Sequence, residues 1–134
     1  MADSTDPEPL DGEDLLRCVP PGFVDNGYSM DEPSARVFWP HKNDDWQLSV
    51  DRELIRSPEE AHKFRIDVMQ KPSVGILSVS TADVAEVSLL AYADAIDGND
   101  AHARIDYRPR QGDKAIRETL LARALRRGWR FLPD

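Results

Sequence analysis

The chain of 134 residues has one cysteine, Cys18, and three histidines, His41, His62 and His102. A single cysteine excludes an internal disulfide and a cysteine-rich zinc site. No two histidines fall at the i, i+3 or i, i+4 spacing that puts metal ligands on one helix face, so neither a metal nor a cofactor is expected. No apolar run approaches the ~20 residues of a membrane-spanning helix. The first residues, Met1-Ala2-Asp3-Ser4-Thr5-Asp6, lack the apolar segment of a secretory leader. These absences point to a reducing, cytoplasmic setting without a membrane. Ser78-Val79-Ser80-Thr81 has no flanking glycines, so it matches neither a nucleophile elbow nor a phosphate loop. Helix capping explains its hydroxyls. Cys18 has no base near it in sequence, which favours an idle thiol.

What the chain does have is charge. Charged residues make up 31% of it and the net charge is −8. The distribution is uneven: residues 1–18 carry six acids and one base, and residues 104–134 carry nine bases and four acids. An acidic chain is a poor default binder of nucleic acid. The basic C-terminal part is expected to face acidic parts of its own chain or of another protein. Nucleic-acid binding through Arg108, Arg110, Arg123, Arg126 and Arg127 is a lesser expectation.

Periodicity gives an α+β fold: one domain over 15–134, a mixed sheet of about five strands with three helices packed on it, and a disordered acidic tail over 1–14. Leu15 to Val19 reads as a short helix or an entry strand. Ala35 to Trp39 reads as a strand that forms a hairpin with the alternating run Trp46 to Val50. Ser57-Pro58-Glu59-Glu60 carries a cap, a proline at the first helical position and a reciprocal glutamate, so a helix is expected from Pro58 to about Gln70. Ala61, Phe64 and Val68, with Met69 beside them, form its apolar arc. Val74 to Val79 is continuously apolar, as in a central strand. A helix is expected over Ser80 to Asp94, and a strand over His102 to Tyr107. A last helix runs from Lys114 to about Arg127 behind an Asp113 cap, with Gly128 ending it. Trp129 to Leu132 closes the chain as a short strand. The span from Val74 to Tyr107 is long enough for a parallel crossover, although an antiparallel return fits equally.

Candidate chemistry concentrates around one loop. Asp94, Asp97, Asn99, Asp100 and His102 lie together where it enters a strand. An imidazole among carboxylates suits acid–base work, although a solvated turn beside one satisfied histidine has the same sequence. The candidate catalytic set is His102, Asp97, Asp100 and Ser49. Arg65 and Arg117 interrupt apolar helix faces, where each either snorkels or meets an anion. Trp39-Pro40-His41-Lys42, at the tip of the expected hairpin, is the best interface patch among several aromatic candidates. The candidate binding residues are therefore Trp39, His41, Lys42, Arg65 and Arg117.

Two clusters carry a resemblance. Pro33-Ser34-Ala35-Arg36-Val37-Phe38-Trp39-Pro40, followed by Leu48-Ser49-Val50, is one. Val74-Gly75-Ile76-Leu77-Ser78-Val79, followed by Asn99-Asp100-Ala101-His102-Ala103, is the other. Over roughly Pro33 to Ile105 the chain resembles a family of small uncharacterised bacterial proteins with Pro-Ser-Ser-x-x-Phe-x-Pro and Asn-x-Ala-His-Ala motifs. It departs from the first motif at Ala35, where that motif has serine. The resemblance implies a bacterial source and marks His102; it carries no mechanism. A fold-level analogy to ADP-ribosyltransferase-like enzymes rests on Leu48-Ser49-Val50 preceding the Glu- and Ala-containing segment Ser57 to Phe64.

Two functions fit these features. One is a non-enzymatic interaction module of a bacterial gene cluster (defence, toxin–immunity or toxin–antitoxin) that binds a co-encoded protein. The other is a small nucleotide- or NAD-processing enzyme using His102 and neighbouring acids, with Ser49 and an arginine converging on one pocket.

Overall fold

The computed structural model describes residues 8–41 and 44–133. It contains β1 (Asp14–Cys18), β2 (Gln47–Arg52), α1 (Pro58–Asp67), β3 (Ile76–Ser80), α2 (Thr81–Glu86), β4 (Leu90–Ala93), β5 (His102–Asp106) and α3 (Ala115–Arg127). The five strands form one sheet in the order β3-β1-β2-β5-β4. Every pairing is antiparallel, so the sheet is not mixed and no parallel crossover occurs. Five strands and three helices in an α+β arrangement are what the periodicity predicts.

One sheet face carries Leu15, Leu77, Val79, Leu48, Val50, Ala103 and Ile105. It packs against Ile116, Leu120, Leu121 and Ala124 of α3. On the other face α1 covers only the β1–β3 side, where Ala61 packs with Leu16 and Ile76. His62 is buried there too, its ring 5.1 Å from Phe131, and that burial lowers its pKa. The β2–β5–β4 part of this face has no helix over it and carries polar side chains. A groove forms where the edge of α1 meets it.

Both sheet edges are covered. On β4, Pro9 bridges Tyr92 and the Leu10 N–H donates to the Ala91 carbonyl at 2.8 Å. On β3, the Ile76 N–H donates to Phe131 O at 3.0 Å, and the Arg130 N–H donates to Ile76 O at 2.8 Å. Strand addition by another chain is blocked at these positions. Of the acidic stretch 1–14, residues 1–7 lie outside the described residues.

Further sequence expectations are corrected. Ala35–Phe38 is a 3₁₀ turn, not a strand, and it forms no hairpin with β2. The Ser34 hydroxyl accepts from the Arg36 N–H at 3.2 Å, and Val37 and Phe38, adjacent in sequence, are both buried. Such adjacency cannot come from a period-two strand with one wet face. The helix expected over Ser80 to Asp94 stops at Glu86. Ser88 has φ +63°, and the chain then alternates, Leu89 and Ala91 inward and Leu90 outward, as β4. β3 is an edge strand rather than a central one; its continuous burial comes from α1 on one face and α3 on the other. Of the arc expected on α1, Ala61 is buried, but Val68, just past the helix end, is exposed, and His62 is buried in its place.

Trp129 to Leu132 forms no strand either: Phe131 makes only an isolated bridge to Ile76. The helix-end signals fare better. Ser57 and Glu60 form the reciprocal cap, with Ser57 Oγ accepting from the Glu60 N–H at 3.2 Å. Asp113 Oδ1 accepts from the Ala115 N–H at 3.3 Å, although the cap position itself falls on Lys114, one residue later than expected. Gly128 takes the φ of +83° needed to turn out of α3.

Candidate functional site

The β2–β5 register decides which side chains meet. Asp51 is opposite His102 and Ser49 is opposite Arg104, so all four project from one face. Ser49 and His102 are diagonal neighbours across the pair, a distance that long side chains bridge. Here His102 Nε2 lies 3.2 Å from Ser49 Oγ. The chain turns through Asp97-Gly98, with Gly98 at φ +81°, so Asp94 returns beside His102. The Asp94 N–H donates to His102 O at 2.9 Å. His102 Nδ1 is 2.9 Å from the Asp94 carbonyl oxygen and 3.3 Å from its carboxylate Oδ2.

This geometry fixes the tautomer. Both partners of Nδ1 are acceptors, so the neutral ring carries its hydrogen on Nδ1. Nε2 is left to accept from the Ser49 hydroxyl. Arg104 Nη1, 3.3 Å from Asp94 Oδ1, holds the carboxylate from its other side. The result is an acid–imidazole–hydroxyl relay built on two adjacent strands and the turn that joins β4 to β5.

Ser49 and His102 line a cavity of about 260 Å³ together with Arg17, Asp51, Arg65 and Asn99. A second hollow of about 380 Å³ shares Arg17, Ser49 and Arg65 with it and extends past Trp39, His41, Phe23, Arg36 and Lys71. The two form one groove across the polar sheet face. Asp51 is shifted up by burial, against the opposing charge of Arg56 at 3.9 Å. The Cys18 thiol, also in the inner half, is pushed up to about 11, mainly by burial and then by Asp51. It is therefore protonated at neutral pH and a poor nucleophile.

The predicted residues divide clearly. Ser49 and His102 are brought together. Trp39, His41 and Arg65 line the same groove. Asp97 sits exposed at the turn, and Asp100 turns to Arg56 Nη2 at 3.9 Å, so the carboxylate at His102 is Asp94 instead. Arg117 lies over the Trp39 ring, 5.6 Å from its centroid, rather than in the groove. Trp39 is not at a hairpin tip: it makes edge contacts at 5.8 Å with both Trp46 and Tyr107. Lys42 lies outside the described residues.

Sequence reasoning named Asp94 in the loop cluster but left it out of the catalytic set, and it missed Arg17. The signal for Asp94 was present. Ala91-Tyr92-Ala93 and Ala101-His102-Ala103 mirror each other about Asp97-Gly98, a pairing of turn and flanking alternation that announces a hairpin. Arg17 was hidden inside an apolar cluster whose strand character was left open.

A hollow of about 410 Å³ at another part of the surface is lined by Asp11, Glu13, Asp14, Glu53, Ser80 and Thr81. Three of its acids are engaged: Glu13 with Arg52 at 2.9 Å, Asp14 with Arg127 at 3.0 Å, Glu53 with Arg130 at 2.7 Å. Ser80 Oγ caps α2 by accepting from the Asp83 N–H at 3.0 Å. Arg108, Arg110 and Arg123 likewise pair with Asp106, Asp113 and Glu86. Much of the basic C-terminal segment thus faces carboxylates of its own chain. Among the described residues, no group of three or more His, Cys, Asp or Glu is arranged to hold a metal, and no helix is long and apolar enough to cross a membrane.

Comparison with protein-family models, with curated proteins and with solved structures returns no match.

Proposed function

We propose that this chain is a small enzyme in which His102, oriented by Asp94, takes the proton of the Ser49 hydroxyl as that oxygen attacks an electrophilic centre of a small substrate. The observation that carries this reading is the 3.2 Å contact between His102 Nε2 and Ser49 Oγ, with both partners of Nδ1 being acceptors. A hydroxyl is a weak nucleophile until a neighbouring base relieves it of its proton. The groove supports a small-molecule substrate, since it is concave and combines apolar walls with a few convergent polar groups. Nucleotides and NAD are the substrate class. A panel of nucleotides, NAD and activated esters tests the proposal: turnover of a panel member that is lost in both Ser49→Ala and His102→Ala supports it, and turnover that survives both substitutions contradicts it.

A second reading, the interaction module of a bacterial gene cluster acting in the cytoplasm, is favoured by a different observation. Ile66, Val68 and Met69 stand exposed at and just beyond the C-terminal end of α1. Grouped apolar side chains among charges are a common chemistry of partner docking. Affinity purification with co-encoded proteins tests it: a stoichiometric partner lost on Val68→Asp supports docking there, and a partner retained by that variant removes this surface from the account.

A further inference from the structure

Arg17 and Arg65 stand apart from the arginines paired above. Arg17 is anchored by carbonyls alone, its Nε donating to Val37 O at 2.8 Å and its Nη1 to Ser49 O at 3.2 Å. Arg65 Nε donates to Pro72 O at 3.2 Å. Among the described residues, no carboxylate lies within ion-pair distance of either guanidinium, although the chain carries a net charge of −8. Both line the two parts of the groove that meet at Ser49. Burial, and then the charge of Arg65, pull the pKa of Arg17 down. The fold thus brings two like charges to one groove without a direct ion pair, opposed only by the carboxylates of Asp51 and Asp44 beyond ion-pair distance. That arrangement is unfavourable in the empty protein and favourable once an anion arrives.

We infer that the groove beside Ser49 holds a phosphate-bearing small molecule, its phosphate between the Arg17 and Arg65 guanidiniums and its body lying toward Trp39. Two planar guanidiniums match the several oxygens of a phosphate better than the two of a carboxylate. Arg36 and Lys71 add positive charge along the outer half, opposed there by Asp44. Trp39, Phe23 and Pro20 supply an aromatic and apolar wall for the organic part. Asp51, the carboxylate of the inner half, lies 3.9 Å from Arg56 and beyond ion-pair distance of Arg17 and Arg65, whose charges act on it more weakly than that of Arg56. The inference rests on the enzyme reading only for the orientation of the ligand toward Ser49.

Isothermal titration at low salt with AMP and with adenosine tests it in the absence of turnover. The expected result is AMP binding, with adenosine at least about tenfold weaker, since a lost charge-assisted contact costs about that factor. Arg65→Gln, on the open edge of α1, lowers AMP affinity about tenfold or more and keeps the fold; Arg17→Gln, more deeply set, is checked first by its melting curve. Equal binding of AMP and adenosine, unchanged AMP affinity in Arg65→Gln, or no heat with millimolar AMP overturns the inference. AMP binding that persists in Ser49→Ala alongside a silent substrate panel leaves this inference standing and removes the catalytic reading. Turnover of uncharged esters without AMP binding does the reverse.

Discussion

His102 stands between Ser49 and Asp94, with Nε2 3.2 Å from the serine oxygen and Nδ1 2.9 Å from the aspartate's own carbonyl. The backbone of Asp94, as well as its carboxylate at 3.3 Å, therefore orients the ring. Replacing Asp94 with asparagine leaves that carbonyl in place, so the reactive tautomer survives. The expected loss of turnover is about tenfold for Asp94→Asn and about a hundredfold or more for His102→Ala, the range of a removed general base. Steady-state kinetics on any substrate found above checks the ranking, and equal losses contradict it.

Cys18 gives a pH prediction. Its pKa of about 11 lies above that of an unfolded thiol, so the stability it contributes is present below about pH 9 and is lost as pH rises through about 11. The native protein should react slowly with iodoacetamide at pH 8 and rapidly once unfolded. Native labelling at the rate of a free cysteine shows the thiol to be more open than its position in the groove allows.

Gly75 is a steric prediction. A Cβ there meets Phe131 O at 2.8 Å and Leu132 Cδ2 at 2.9 Å. Gly75→Ala must push the C-terminal segment off the edge of β3, at a cost of about 1–3 kcal/mol. Chemical denaturation measures it. A neutral substitution means that this segment does not seal the edge.

Tyr107 is buried, and its hydroxyl donates to the Phe38 carbonyl, tying the end of β5 to the 3₁₀ turn. Tyr107→Phe leaves that buried carbonyl without its partner, a loss of about 1–3 kcal/mol. Because Phe38 neighbours Trp39, the variant should also disturb the outer end of the groove. Thermal melting reads the first effect and tryptophan fluorescence the second. An unchanged melting curve contradicts the link.

The sequence was legible where short-range physics decides. Ser57 and Glu60 cap α1, Gly128 ends α3, and His102 to Tyr107 alternates as β5. It was opaque where packing overrides pattern. Val84 to Ala93 is apolar enough for a deeply buried helix, yet beyond Glu86 the chain turns and forms a strand over Leu90–Ala93, because β5 lacks a neighbour on that side. Ala35 to Phe38 has strand composition, but the Ser34 cap and the flanking prolines favour a tight turn. The site was half legible. Ser49 and His102 were singled out from residue type and position, and the pairing of β2 with β5 brings them together. Asp94 was named in the loop cluster but not chosen, since it was placed at the end of an expected helix, and a side chain assigned to the wrong element is also assigned the wrong neighbours.

The central claim is that His102 activates Ser49. A fluorophosphonate probe tests it without any knowledge of the substrate. Attack of Ser49 Oγ on phosphorus forms the O–P bond as fluoride leaves, and His102 takes the hydroxyl proton. Mass spectrometry of the labelled protein should place a single adduct on Ser49, absent in Ser49→Ala and strongly reduced in His102→Ala. An unlabelled protein, or labelling that His102→Ala does not slow, contradicts the account.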